Sequence, residues 1–123
     1  MKLNWNMPDA LRPYYEQELK LYQSYLNEQQ FLNAWHHLER AHILGQPYPV
    51  EHTVAHAKML AFGIKTRNIK EVVGQLPRLL IGGVKSWAGI IPVGNTGGAN
   101  VRTWKPMPIP DDLQGVICRA ASN

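Results

Sequence analysis

The sequence predicts an all-α single domain of four helices with a Pro/Gly-rich extended C-terminal arm, and three observations carry that expectation. Apolar residues recur at helical spacing up to about residue 82, the turns between the periodic stretches are short, and the composition changes abruptly after Lys85. With 123 residues and 45% hydrophobic content, the chain has enough apolar side chains for one modest core and too few for two.

The first helix is expected over about 9–29, where Leu11, Tyr15, Leu19, Tyr22 and Leu26 make one face. Pro13 is tolerable there because it falls in the first turn. Glu18 borders the apolar face, whereas Glu16 and Lys20 point away from it. A second helix, about 30–44, presents Phe31, Trp35, Leu38 and His42 as a stripe, and Gly45 is placed to stop it. After the turn Gly45-Gln46-Pro47-Tyr48-Pro49 a third helix is expected over about 50–66, so the two form a helical hairpin. Asn68 followed by Glu71 reads as a capping box opening a fourth helix over about 68–82, which Pro77 should kink or shorten. The spacing of Tyr22, Leu26, Ala34, Leu38 and Ala41 resembles the helix pairs of tetratricopeptide-like repeats, but no second copy follows.

Residues 86–110 hold four of the nine prolines and the run Gly94, Asn95, Thr96, Gly97, Gly98, which ends regular helix. Trp87, Ile90, Ile91, Val93, Val101, Trp104, Met107 and Ile109 give this arm too much to bury for a disordered tail. It is expected to lie extended across the helices, closed by a short helix over 111–118.

Composition excludes several functions. The single cysteine, Cys118, rules out an internal disulfide framework or a Cys-rich zinc site and suits a reducing compartment. The start lacks the apolar run of a secretory signal, and no stretch approaches the roughly 18 apolar residues of a membrane span, so a cytoplasmic protein is expected. The net charge of +4 is scattered from Lys2 to Arg119, without the dense basic cluster that nucleic acid would need.

The chemistry is concentrated between Trp35 and His56, which contain all five histidines. Glu39 and His42 lie one helical turn apart on the second helix, and His52 and His56 are spaced i, i+4 on the third. An antiparallel hairpin places both pairs at the same level near the turn. One carboxylate and three imidazoles suit zinc, iron or manganese. A single divalent metal held by Glu39, His42, His52 and His56 is therefore expected, with Glu18 and Arg40 as second-sphere candidates. A two-iron bundle would need a second Glu-x-x-His and further inward carboxylates, and only Glu18 offers itself. The alternative is a helical interaction module whose histidines are hydrogen-bonded core residues, since an unpaired buried polar group costs roughly 1 to 3 kcal/mol. His36 and His37 are adjacent and diverge by about 100 degrees, so both cannot join the cluster; surface or helix-packing roles suit them.

The glycine-rich run Gly94, Asn95, Thr96, Gly97, Gly98 could offer backbone amides to an anion, but it lacks the Gly-Lys-Ser/Thr ending of a phosphate loop and reads better as tight turns. Four tryptophans, five tyrosines and two phenylalanines are more aromatic surface than short helices readily cover, so a homodimer, or a protein partner meeting the C-terminal arm, is expected.

HLERAHILGQ at 37–46, HTVAHAKM at 52–59, GQLPRLL at 74–80, and PVGNTGGANV with PMPIPDDL further on resemble a small bacterial domain-of-unknown-function family, over residues 14–113. The resemblance implies a compact bacterial protein with His37, Glu39, Arg40, His42, His52, His56, Asn95 and Gly97 inside its motifs. It implies no activity.

Overall fold

In the computed structural model the described residues are 6–75 and 107–122. Among them all regular structure is helical: α1 Arg12–Asn27, α2 Phe31–Gly45, α3 Pro49–Lys65, α4 over 69–75 and α5 Asp111–Ser122. The predicted arm 86–110 lies outside the described residues except for 107–110, which are non-helical and lead into α5. Residues 76–82 of the predicted fourth helix, the 94–98 loop and Trp104 also lie outside them. No helix among the described residues is long and apolar enough to cross a membrane.

The apolar stripe of α1 packs on α2, and α2 packs in turn on α3 and α5. Ala34 and Ala41, both fully buried, let the α1 and α2 backbones approach closely, and Leu38 between them is fully buried too. That side chain alone contributes about 2 kcal/mol of burial. Two apolar clusters result. One joins Met7, Leu11, Tyr15, Ala41, Leu44 and Tyr48 to Leu113 and Val116 of α5, and the other gathers Tyr22, Leu26, Ala34, Leu38, Met59 and Phe62.

Gly45 does not act as a left-handed helix stop. It is the last residue of α2, and an added Cβ would come within 3.0 Å of Tyr15 Cε2 and 3.1 Å of Glu51 Cβ. Glycine is needed there for close approach of three helices. Pro49 opens α3 in its first turn, where its missing N–H costs nothing.

The true left-handed stops carry side chains. Gln29 (φ 60°) follows α1 and Arg67 (φ 58°) follows α3. Each closes a Schellman pair: Gln30 N donates to Tyr25 O and Gln29 N to Leu26 O, as Asn68 N does to Gly63 O and Arg67 N to Ile64 O. Non-glycine residues in this region cost about 1 kcal/mol. Gln29→Gly and Arg67→Gly are therefore each expected to raise the melting temperature by a few degrees, measured by thermal circular dichroism. A lowered melt would show that the side chains outweigh the strain.

Asn68 both ends α3 and begins α4, because its Oδ1 accepts the Glu71 N–H at 3.2 Å. The reciprocal half of the expected capping box is replaced: the Asn68 amide is used by Gly63, and the Glu71 carboxylate turns to Gln75. Gly63 has a matching role, since a Cβ there would meet Glu71 Cβ and Val72 Cγ2 at 3.2 Å. The bare glycine backbone lets α4 settle onto α3.

Candidate functional site

The hairpin turn brings the C-terminal end of α2 beside the N-terminal end of α3, and with them His42, His52 and His56. Their Nε2 atoms form a nearly equilateral triangle: His42 to His56 3.1 Å, His42 to His52 3.1 Å, and His52 to His56 3.0 Å. The rings are tilted 55 to 79° to one another, so the nitrogens converge on a point rather than stacking. All three residues are buried, at 1%, 6% and 4% exposure for His42, His52 and His56.

The orientation of His56 is set from α4. Its Nδ1 lies 2.7 Å from Gln75 Oε1, and the fully buried Gln75 donates through Nε2 to Glu71 Oε2 at 2.9 Å and to the Met59 sulfur at 3.5 Å. An amide oxygen only accepts, so Nδ1 carries a proton, and in the neutral form of the ring Nε2 is then bare towards the triangle.

A triangle of imidazole nitrogens cannot satisfy itself. Each Nε2 is either N–H or lone pair, every edge needs one of each, and a ring of three cannot alternate. At least one edge sets like against like at about 3 Å. A cation inside the triangle removes the conflict, because all three lone pairs then point at it. His42, His52 and His56 accordingly form a group whose candidate ligand atoms lie within 4.8 Å of one another.

Burial disfavours a charged His52. Burial, and then the neighbouring His56, lower the His52 imidazole to about 3. An unfolded histidine titrates near about 6.5. Below that value the unfolded chain binds a proton that the folded chain refuses, so this contribution to stability is fully present above about pH 6.5 and is lost as pH falls towards 3. In chelator, the melting temperature is expected to fall steadily from about pH 7 to about pH 4. A flat profile would contradict a neutral buried His52.

Glu39 stands half-buried on α2, and its carboxylate is not among the atoms of this group. Glu18 and Arg40 belong to a separate cluster. Glu18, 7% exposed, accepts from Arg40 Nε at 2.8 Å on one oxygen and meets His37 Nδ1 at 2.7 Å on the other. The Arg40 guanidinium reaches on to Asp112 in a two-pronged pair, which ties α1 and α2 to the first turn of α5. Asp112 foremost, and Glu18 after it, hold the guanidinium proton more tightly than usual, and the same pair lowers the Asp112 carboxyl. His37 also stacks on Tyr25, with centroids 5.4 Å apart. Glu51 lies in another ion pair, accepting from Arg12 at 2.9 Å.

Sequence reasoning passed over Gln75, His37 as a network member, and Asp112. Gln75 and Glu71 carry the i, i+4 spacing of a helical side-chain pair, and Gln75 falls within the GQLPRLL motif.

Fold and site together define a small helical-bundle protein with a buried three-histidine cluster at a hairpin turn. Comparison with known families then places it: the family described as "Protein of unknown function (DUF3703)" matches residues 9–117, and the chain belongs to that family. Neither a curated protein nor a solved structure matches the chain.

Proposed function

We propose that this protein binds one divalent transition-metal ion through the Nε2 atoms of His42, His52 and His56. The observation that carries the reading is the triangle of three buried nitrogens with edges of 3.0 to 3.1 Å, which no assignment of imidazole protons satisfies. Nitrogens 3.0 to 3.1 Å apart are close enough for all three to reach one ion at the roughly 2.0 to 2.1 Å usual for imidazole ligands. Three protein nitrogens would leave room for a further ligand, for which the Glu39 carboxylate and water are the candidates. Three neutral imidazoles favour zinc or iron(II), with manganese the weaker fit. Binding is the function proposed; a water as that ligand would add the means of hydrolysis, whereas a fourth protein ligand would make the ion structural or sensed.

The test is metal content, by elemental analysis, of wild type, His52→Ala and Glu39→Ala proteins offered zinc, iron and manganese. One ion per chain in the wild type and none in His52→Ala is the expected result. Loss in Glu39→Ala as well would identify the fourth ligand. Wild-type protein that takes up none of the three metals would overturn the proposal.

A second reading, a helical interaction module, is favoured by the outward apolar side chains Leu32, Ile69 and Val73, which are 89%, 77% and 62% exposed. In that case the histidines are core residues, and the same metal analysis returns nothing.

A further inference from the structure

We infer that Gln75 is the positioning residue of the histidine cluster, and that Glu71 sets the direction in which it acts. The inference rests on the metal-binding reading for its consequence but has its own observable, the tautomer of His56. A side-chain amide can face either way, and a neighbour that only accepts fixes it. Glu71 is such a neighbour: its carboxylate takes the Gln75 Nε2–H at 2.9 Å, so Oε1 is left facing His56 Nδ1 at 2.7 Å. Donation therefore runs one way along the chain. His56 Nδ1–H gives to the amide oxygen, the amide N–H gives to the carboxylate, and the far side of the ring is left with its lone pair towards His42 and His52.

Three features hold this chain in place. Gln75 is fully buried and Glu71 is 8% exposed, so water does not compete for the amide. The Asn68 side chain anchors the Glu71 amide, which fixes the start of α4, and bare Gly63 allows α4 to approach α3. The remaining amide hydrogen rests against the Met59 sulfur at 3.5 Å. Hydrogen bonds of this kind to the non-ligating nitrogen of a histidine orient the ring and raise its basicity, and their loss typically costs 10- to 100-fold in metal affinity.

The experiment compares wild type, Gln75→Leu, and the paired exchange Glu71→Gln with Gln75→Glu, which keeps one carboxylate and one amide in reverse order. Long-range proton–nitrogen correlation spectra of the metal-free proteins report the His56 tautomer, and titration with cobalt(II) alone reports affinity and ligand field. Wild type should show His56 protonated at Nδ1. Gln75→Leu should lose that preference and bind cobalt roughly 10- to 100-fold more weakly with an altered absorption spectrum, and the paired exchange should restore both. Should Gln75→Leu fail to fold, as judged by circular dichroism, Glu71→Gln alone should shift the tautomer through the freed amide. A His56 tautomer unchanged in Gln75→Leu, or a cobalt affinity unchanged beside a changed tautomer, overturns the inference. A wild type that binds no cobalt while its tautomer still depends on Gln75 overturns the metal reading and leaves the relay standing.

Discussion

Zinc added to chelator-treated protein is expected to raise the melting temperature by on the order of 10 °C. A ligand present at about 1,000 times its dissociation constant stabilises the folded state by about 4 kcal/mol, and in a domain of this size each kcal/mol moves the melt by several degrees. The shift should be large because the unfolded chain offers zinc no assembled site, while the fold itself brings the Nε2 atoms of His42, His52 and His56 to 3.0 to 3.1 Å of one another. Metal bound there would also relieve the like-against-like contact within the triangle. His52→Ala should abolish the zinc-dependent shift even where its chelated form melts near the wild type. A zinc shift of similar size in His52→Ala would mean that the ion binds elsewhere.

The second large effect is expected at Glu18. Removing its carboxylate in Glu18→Ala leaves the Arg40 guanidinium and His37 ring, whose side chains are 17% and 19% exposed, without the acceptor between them. Breaking a largely buried pair from one side costs about 3 to 5 kcal/mol, and retention of Asp112 by Arg40 puts this case at the lower end. Out of a total of about 5 to 15 kcal/mol that is a substantial fraction, and chemical denaturation should show a clear fall in midpoint. Glu16→Ala, two residues away and with a side chain 61% exposed, is the control and should change the midpoint little. Equal losses at the two positions would place the effect in α1 helix propensity instead of the network.

These two clusters differ in how far the sequence disclosed them. The helices were legible because Leu11, Tyr15, Tyr22, Leu26, Ala34 and Leu38 recur at the helical period, and Pro49 marks a start. The proximity of His42 to His52 and His56 follows from the same reasoning, since a short turn forces an antiparallel hairpin and the pairs lie near it. The ends of α1 and α3 are legible to within two residues, but the left-handed form of their stops is not, because Gln29 and Arg67 adopt that backbone without the glycine that signals it. Gln75 was invisible for another reason. Its role depends on how α4 docks on α3, and a lone glutamine in an apolar-looking segment gives no hint that it faces a histidine. Glu18 was seen to border the apolar face, but its partners come from α2, and their link to α5 spans 72 residues from Arg40 to Asp112. Charge pairing across that distance leaves no local pattern.

The depth of the three histidines also governs rates. With 1% to 6% of each residue reaching solvent, an ion has no direct path to the nitrogens, and entry or escape must wait for part of the structure to open. Exchange of a bound ion would then be clocked by local opening rather than by the lability of metal–nitrogen bonds. Such openings range from microseconds to seconds and, where they are sub-global, far longer. An ion bound at such a depth would be retained through brief depletion of the surroundings and taken up late after a sudden supply, so occupancy would average availability over time instead of following each fluctuation.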